Sequence, residues 1–339
     1  MKMKGLFTTV LATAISTSTI VTPVTAQTPS SEIDSHISAA KTAAALDYRA
    51  TFVNLCFPTP LPGGPRGAAA LLQPRPAPDR GIWYASPYQV FDNLYWLGTR
   101  QHSSWALKTS AGLIIIDTNF AWATQPEILD GLAKLKINPK DIKYVILSHA
   151  HGDHDQGVAT LQSKFGAKVI MGGPDWDATL KRAPDVAGGV PTRGPGDIAV
   201  GPEGTKLTLG DTTVDIVFTP GHSVGTLSYV FPVKDKGKTV MVAYSGGTLT
   251  GAFGTDAKRW DEYIDSQKRI AQAAAAAGAS VILSNHSEYD NAYTKARLVG
   301  VKREVGEDNP FIVGPQSVQN YFTVMEECAT ASKLRNGAR

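Results

Sequence analysis

The most informative stretch of the chain is a cluster of three histidines and one aspartate, Ser148-His149-Ala150-His151-Gly152-Asp153-His154. It directly follows an apolar run at residues 144–147, and so short a run before a polar turn predicts a buried strand that ends in a loop. Zinc binds imidazole and carboxylate ligands, and a catalytic zinc site leaves one coordination position for water. The stretch therefore predicts a metal site on a loop, with a solvated polar loop as the alternative.

Two further histidines also follow predicted strands. His222 comes after the alternating segment 214–218, and His286 comes after the apolar segment 281–285. Ligands in α/β proteins gather at the carboxyl ends of strands. Taken alone, either residue would more often be a hydrogen-bonded loop histidine. Together with the cluster, they complete a set of metal ligands.

The whole pattern resembles the metallo-β-lactamase superfamily: His-x-His-x-Asp-His, then Gly-His after a strand, then a late histidine. The resemblance covers about residues 87–298 and implies an α/β fold, the αββα sandwich of two mixed β-sheets with helices outside. It implies two Zn²⁺ ions per chain and a hydroxide that bridges them and attacks the substrate. The implied ligands are His149, His151 and His222 for the first ion, and Asp153, His154 and His286 for the second. Asp153 is also the implied catalytic residue, because its carboxylate can orient the bridging water.

A glycine-rich segment discriminates between members of the superfamily, and it reads Gly246-Gly247-Thr248-Leu249-Thr250. Thioesterases of the glyoxalase type, lactonases and phosphodiesterases usually carry Gly-Asp-Thr-Leu here, and that aspartate bridges the metals. The matching residue is Gly247, or Thr248 if the register slips by one, and neither can bridge. Many β-lactamases have a zinc-binding cysteine at this point, which is also absent. The remaining pattern is similar to the third subclass of metallo-β-lactamases.

The resemblance predicts a dizinc hydrolase that opens an amide bond, namely that of a β-lactam, with antibiotic resistance as the implied role. One alternative is a hydrolase of esters, lactones or other non-lactam amides with the same metal site. Another is a metal-binding or structural protein without catalysis, against which the complete ligand set argues. The motifs are highly specific for the fold and much less so for the substrate.

Four residues are candidates for substrate binding. Thr248 and Thr250 would lie near the metals and a substrate carboxylate, or they are ordinary strand-end residues. His102 lies in an early hairpin that borders the site in this fold, or it is a surface histidine. Tyr289, close to His286 in sequence, could face the cleft. Asp117 ends a buried strand and is predicted to support the ligand loop, because a buried acid needs hydrogen bonds.

The chain divides into three predicted segments. Residues 1–26, with a basic start, an apolar core and small residues near the end, predict a signal peptide and a periplasmic or secreted protein, with a membrane anchor as the alternative. Residues 27–86 form an N-terminal extension with a Pro-rich strap at 58–80. Residues 87–339 form the metallo-β-lactamase-fold domain with a C-terminal helix.

Composition limits the kinds of partner that we expect the protein to bind. The net charge of +3 and the lack of a Lys/Arg run argue against nucleic acid, so we expect a small-molecule substrate. No segment after the signal predicts a membrane span, and the oligomeric state stays open. The cysteines, Cys56 and Cys328, could form a disulfide after export or remain two separate buried thiols. The pattern also predicts one strand over 90–97 paired with 104–109, and a hairpin over 206–218.

Overall fold

Two β-sheets lie face to face at the centre of the structure, and helices cover the outer face of each. The computed structural model describes residues 31–58, 76–183, 185–248 and 253–338. The predicted signal segment at 1–26 and most of the predicted strap at 58–80 lie outside these residues. The arrangement confirms the predicted αββα sandwich.

The first sheet has, within the described ranges, seven strands that follow one another in chain order. Strands β1 to β4 are antiparallel and β4 to β7 are parallel, so the sheet is mixed. The strands are β1 Tyr88–Phe91, β2 Leu94–Trp96, β3 Trp105–Thr109, β4 Gly112–Ile116, β5 Ile142–Ile146, β6 Lys168–Gly172 and β7 Ile198–Val200.

The second sheet has the order β12-β11-β10-β9-β8. Its strands are antiparallel except for the parallel pair β11 and β12, so it is mixed as well. The predicted hairpin over 206–218 is confirmed as β8 and β9. The strands are β8 Thr205–Leu209, β9 Thr212–Phe218, β10 Leu227–Asp235, β11 Lys238–Ser245 and β12 Val281–Ser284.

Helices lie on the outer faces and at the ends of the sheets. A π-helical turn, Thr124–Leu129, joins α4 to α5, and a 3₁₀ turn, Pro139–Asp141, precedes β5. The α-helices are α1 Ser31–Ala44, α2 Arg49–Cys56, α3 Arg80–Trp83, α4 Ala121–Ala123, α5 Asp130–Lys134, α6 Gly152–Asp155, α7 Val158–Phe165, α8 Gly173–Leu180, α9 Ala257–Ala276, α10 Ser287–Asp290, α11 Ala292–Val299 and α12 Pro315–Arg335.

Strand β4 shows why the central strands are apolar throughout. Ile114 and Ile116 point into the core between the sheets, whereas Ile115 points into the layer under the outer helices. A strand buried on both faces needs a continuous apolar run rather than alternation. On the other side of the molecule, Trp260 of α9 and Phe322 of α12 bury the outer face of the second sheet.

The prediction of a single strand over 90–97 is wrong. The chain turns back at Asp92 and Asn93, and β1 pairs with β2 on either side of this turn. The Asn93 side-chain oxygen accepts a hydrogen bond from Lys234 N at 2.8 Å, and the Asp92 carboxylate accepts one from Gly237 N at 2.7 Å. Asp and Asn favour turns because their short side chains can bind nearby backbone groups. Here the hydrogen-bond donors are backbone groups at the end of β10 and in the β10–β11 turn. The sequence around Asp92 and Asn93 does not contain them, so it does not reveal the turn.

The two ends of the described chain pack together. Helices α1 and α2 lie against α12, where the rings of Tyr48 and Tyr321 meet edge to face at 5.5 Å. Cys56 and Cys328 are joined in a disulfide, with Cα atoms 4.5 Å apart. The boundary between extension and domain at residue 86 stays a prediction. Among the described residues, no helix combines the length and apolar character that crossing a membrane requires.

Candidate metal centre

The predicted ligands converge from three loops that follow strands. His149 and His151 follow β5, His222 follows β9, and His286 follows β12. The imidazoles of His149 and His154 are buried, whereas His151, Asp153, His222 and His286 are partly exposed. The site is therefore anchored in the protein and open to solvent on one side.

The first cluster contains His149, His151 and His222. Their ligand nitrogens all lie within 4.8 Å of one another, and Nε2 of His222 is 3.2 Å from Nδ1 of His151. Nδ1 of His149 lies 3.0 Å from the carbonyl oxygen of Gly246 and must donate to it. Nε2 of His149 therefore carries the lone pair, and this buried atom has no hydrogen-bond partner among the described residues. Three converging imidazoles with one orphaned buried nitrogen fit a zinc ion.

The second cluster surrounds the carboxylate of Asp153. Its Oδ2 atom lies 3.2 Å from Nε2 of His154 and 3.3 Å from Nε2 of His286. The two histidine nitrogens are 3.2 Å apart. The structure therefore brings all six predicted ligands together in two adjoining groups. Their assignment to individual metal ions stays a prediction.

The protonation states of the first cluster suit metal binding. Burial lowers the pKa of His149 and His222 well below the usual value, and repulsion by neighbouring imidazoles lowers it further. Burial also lowers the pKa of His151. These imidazoles are therefore neutral near pH 7, which is the form that binds metals.

The second cluster carries opposite charges. Burial acts to raise the pKa of Asp153, but charge interaction with His154 and hydrogen bonds from His154 and His286 outweigh it and hold the pKa well below its usual range. Burial acts to lower the pKa of His154, but Asp153 and Asp117 raise it to about 10. The carboxylates of Asp153 and Asp117 thus stabilise a proton on His154, and a bound metal ion would replace that proton.

Asp117 supports the ligand loop, as predicted. Its carboxylate accepts hydrogen bonds from the backbone N and the hydroxyl of Ser148 at 2.7 and 2.8 Å, and from the Tyr244 hydroxyl at 2.7 Å. It also stands 3.2 Å from Nδ1 of His154. A fully buried acid is thereby satisfied, and it fixes both the start and the end of the histidine motif.

Asp175, at the start of α8, is a support that the sequence reading missed. Its buried carboxylate accepts hydrogen bonds from Ala150 N at 2.9 Å, Ser223 Oγ at 2.6 Å and Gly225 N at 2.9 Å. It therefore links the loop of His149 and His151 to the loop of His222. The available signal was an aspartate just after a buried strand, the same signal that identified Asp117.

Two arginines hold the backbone of the ligand loops. Arg259 of α9 donates to the carbonyl oxygens of Gly221 and His222, both at 3.1 Å. Arg182 donates to the carbonyl oxygen of Ala150 and to the Asp155 carboxylate, both at 2.5 Å. Bonds of this kind are charge-assisted and fix the loop geometry before any ligand arrives.

Glycine is required at position 247. A Cβ atom there would stand 2.6 Å from Cβ of His222 and 2.9 Å from Cγ2 of Thr226. At position 246 a Cβ would lie 1.6 Å from the carbonyl oxygen of Leu227. Position 247 cannot carry a side chain unless His222 moves.

The predicted substrate-binding residues occupy different environments. Thr248 is buried, and its hydroxyl donates to Oδ1 of Asn285 at 3.0 Å. Thr250 lies outside the described residues. Tyr289 is mostly buried in the layer under α9 and α12, with its ring 6.2 Å from that of His286. A role in substrate binding stays a prediction for these residues.

His102 lies at the centre rather than at the surface. Its ring is 4.9 Å from that of His286 and 5.1 Å, edge-on, from that of Phe120, and its Nδ1 atom lies 3.3 Å from Oγ1 of Thr99. Phe120 stacks on Trp122 at 5.1 Å, and Trp122 contacts Trp83 at 4.6 Å. These partly exposed rings form an aromatic wall beside the second cluster, which the sequence reading did not anticipate.

Comparison with known proteins agrees with this geometry. The family model described as the metallo-beta-lactamase superfamily matches residues 97–235. The solved structure of BJP-1, a subclass B3 metallo-beta-lactamase of Bradyrhizobium japonicum, is 27% identical and has a TM-score of 0.61, covering 75% of this chain and 95% of that one. Residues 97–235 of this chain belong to the metallo-β-lactamase superfamily. Membership makes it a metal-dependent hydrolase, of a fold whose metal is typically zinc.

Other members of the superfamily extend the comparison. The fold is shared with native FEZ-1, a metallo-beta-lactamase from Legionella gormanii: 22% identity, a TM-score of 0.63, and coverage of 78% of this chain and 100% of that one. A hydroxyacylglutathione hydrolase of Bradyrhizobium sp. strain BTAi1 is 28% identical over 202 residues, which are 56% of this chain and 72% of that protein. The similar proteins thus include two metallo-β-lactamases and a hydroxyacylglutathione hydrolase.

Proposed function

We propose that the chain is an exported dizinc hydrolase that opens an amide bond, namely that of a β-lactam. The observation that carries this proposal is the contact between Gly247 and His222. Thioesterases of this fold usually place a metal-bridging aspartate at this point of the sequence. Here a side chain at 247 would meet Cβ of His222 at 2.6 Å.

The neighbouring position supplies no bridge either. Thr248 is buried and its hydroxyl donates a hydrogen bond to Oδ1 of Asn285, whose own amide nitrogen donates to the carbonyl oxygen of Gly246 at 3.1 Å. The segment therefore acts as a tight support under His149 and His222. An all-histidine first cluster without a bridging acid is the pattern of the third β-lactamase subclass.

In this proposal His149, His151 and His222 hold one zinc ion, and Asp153, His154 and His286 hold the other. Bound zinc would lower the pKa of a water toward neutrality and polarise the scissile carbonyl.

The chain's own groups prepare this step. The hydrogen bond from His149 Nδ1 to Gly246 fixes the tautomer that leaves Nε2 free. The ionised Asp153 accepts a hydrogen bond from the attacking water and orients its lone pair toward the carbonyl carbon. As the water oxygen attacks, the C–N bond breaks, and the leaving nitrogen takes up the proton that the water loses.

Export is supported by two features. Cys56 and Cys328 form a disulfide in the structure, and disulfides persist in oxidising compartments such as the periplasm. Residues 1–26 have the pattern of a signal peptide. We propose that the enzyme meets a small-molecule substrate outside the cytoplasm.

Hydrolysis of a glutathione thioester is the second candidate, favoured by the identity of 28% to a hydroxyacylglutathione hydrolase. The deciding experiment assays the zinc-loaded enzyme on nitrocefin and a carbapenem, alongside lactones, aryl esters and a hydroxyacylglutathione. We expect kcat/KM for at least one β-lactam to exceed that for the thioester by tenfold or more. The reverse order would overturn the β-lactam proposal in favour of the thioester, and turnover of lactones or aryl esters alone would favour an ester hydrolase.

A further inference from the structure

Backbone hydrogen bonds hold His102 beside the metal centre. Its N–H donates to Oγ1 of Thr99 at 2.9 Å, and its carbonyl oxygen accepts from Thr99 N at 2.8 Å. On either side, Ser103 N donates to Asn285 O at 2.8 Å and Ser287 N donates to Gln101 O at 2.7 Å, so that residue 102 pairs with His286 in a β-bridge. The two histidines therefore approach the second cluster as a fixed pair.

The imidazole of His102 is directed at Asp153. Its Nε2 atom lies 3.6 Å from Oδ2 of Asp153, the same oxygen that His154 and His286 approach. The ligand atoms of His102, Asp153 and His286 all lie within 4.8 Å of one another. Phe120 packs its ring against the other side of His102, which limits rotation away from the cluster.

The distance between Nε2 of His102 and Oδ2 of Asp153 suits a shared cation better than a hydrogen bond. An N–H···O hydrogen bond has a donor–acceptor distance of about 2.7–3.2 Å, so 3.6 Å is too long. Two ligand atoms on one tetrahedral zinc, each about 2.0–2.1 Å from the metal, stand about 3.3 Å apart. The contacts of 3.2, 3.3 and 3.6 Å around Asp153 Oδ2 lie close to this value.

We propose that His102 is a fourth protein ligand of the second zinc ion, in addition to Asp153, His154 and His286. The inference rests on the proposed dizinc site and adds a residue to it. Four protein ligands are typical of structural zinc, whereas catalytic zinc has three and an open position. With four protein ligands the second ion would be bound tightly, in the manner of a structural zinc ion.

The alternative is that His102 only positions the Asp153 carboxylate by hydrogen bonding. A glutamine can keep such a hydrogen bond because its side-chain amide donates, but it is a poor zinc ligand. His102→Ala and His102→Gln therefore separate the two roles. His36→Ala is the matched control, because His36 lies on α1 and pairs with Glu327 instead.

The first measurement is zinc binding by competition with a chelator. We expect wild type and His36→Ala to bind two ions, and both His102 variants to bind one ion normally and the other at least 10²-fold more weakly. The second measurement is proton NMR of the dicobalt proteins, in which each coordinated imidazole N–H gives a shifted resonance. Wild type should show six such resonances and the His102 variants five.

Each other outcome overturns a stated claim. If wild type binds two ions and both His102 variants retain the affinity and the resonances, His102 is not a ligand and the dizinc site stands. If only the glutamine variant restores affinity, His102 is a positioning residue. If wild type itself binds fewer than two ions, the dizinc proposal fails. Circular dichroism of the zinc-free proteins checks that each variant is folded.

Discussion

The Asp175 carboxylate accepts a hydrogen bond from the Ser223 hydroxyl at 2.6 Å. Because the same carboxylate also accepts from Ala150 N, it ties α8 to both loops that carry the first histidine cluster. In Asp175→Ala, Ala150 N and Gly225 N lose their acceptor. Partners that orient metal ligands usually contribute 10–100-fold in metal affinity. We expect a loss of zinc affinity in that range, measured by chelator competition. The exposed Asp177 lies on the same helix, and Asp177→Ala should bind zinc as wild type does; equal affinities in the two variants would contradict the linking role.

Replacing Asp153 with alanine should lower turnover on the order of 10²-fold or more, because a pre-organised charge at the reacting centre is removed. Assays in excess zinc separate this effect from metal loss. The zinc-free variant loses the ion pairs of Asp153 with His154 and His286 and should be somewhat less stable, but it should still fold, which circular dichroism checks. Turnover close to wild type would show that Asp153 has another role.

Gly247→Ala should displace His222, because the new Cβ would lie 2.6 Å from Cβ of His222. We expect weaker binding of one zinc ion and a fall in activity. Gly201→Ala is the control, since no atom of the described residues lies within 4 Å of a Cβ at position 201. Metal analysis after dialysis against a weak chelator provides the measurement, and full retention of both ions in Gly247→Ala would refute the steric argument.

The double variant Cys56→Ser and Cys328→Ser should be less stable by about 2–5 kcal/mol, the usual effect of losing a native disulfide. Its kcat should stay unchanged, because the disulfide lies in the outer helical layer and not at the metal centre. Urea unfolding with and without reductant checks this. Wild type under reductant should match the double variant, and equal stability in all four samples would contradict the prediction.

Glu127 should make stability depend on pH. Burial raises its pKa to about 8 from an ordinary value of 4.5, against the hydrogen bond from Ala85 N. Between these two values the folded protein holds a proton that the unfolded chain releases, so stability should fall as pH rises through this window, by at most about 1.4 kcal/mol per pH unit. Glu127→Gln removes this titrating group and should make the profile less steep in urea unfolding from pH 5 to 8, while Asp290, whose pKa burial raises to about 7, still contributes. An unchanged slope would exclude Glu127 as its source.

Local patterns predict the buried strands and the histidines that follow them, whereas the sandwich and the set of six ligands are implied by the resemblance to the metallo-β-lactamase superfamily. Buried strands are short apolar runs, and the residue that follows such a run lies at a sheet edge, as His149, His222 and His286 do. Asp117 could be recognised for the same reason.

Features that depend on contacts between distant segments could not be predicted in full from local patterns, and for His102 the prediction was limited to a hairpin that borders the site. Asp175 acts through Ser223, which lies 48 residues further along the chain. His102 reaches the centre because its turn pairs with the loop of His286. The break between β1 and β2 is fixed by backbone groups of the β10–β11 turn. No local pattern contains these partners.

The packing of α1 and α2 on α12 has a consequence for biogenesis. The disulfide joins residues 272 positions apart, so Cys56 cannot pair until the long segment between it and Cys328 has been synthesised. Contacts between such distant segments form slowly, because a long loop must close before they can stabilise the fold. During synthesis the apolar faces of α1 and α2 therefore stay without their packing partner until α12 has been made. Among the described helices, α12 thus covers α1 only at a late stage of synthesis.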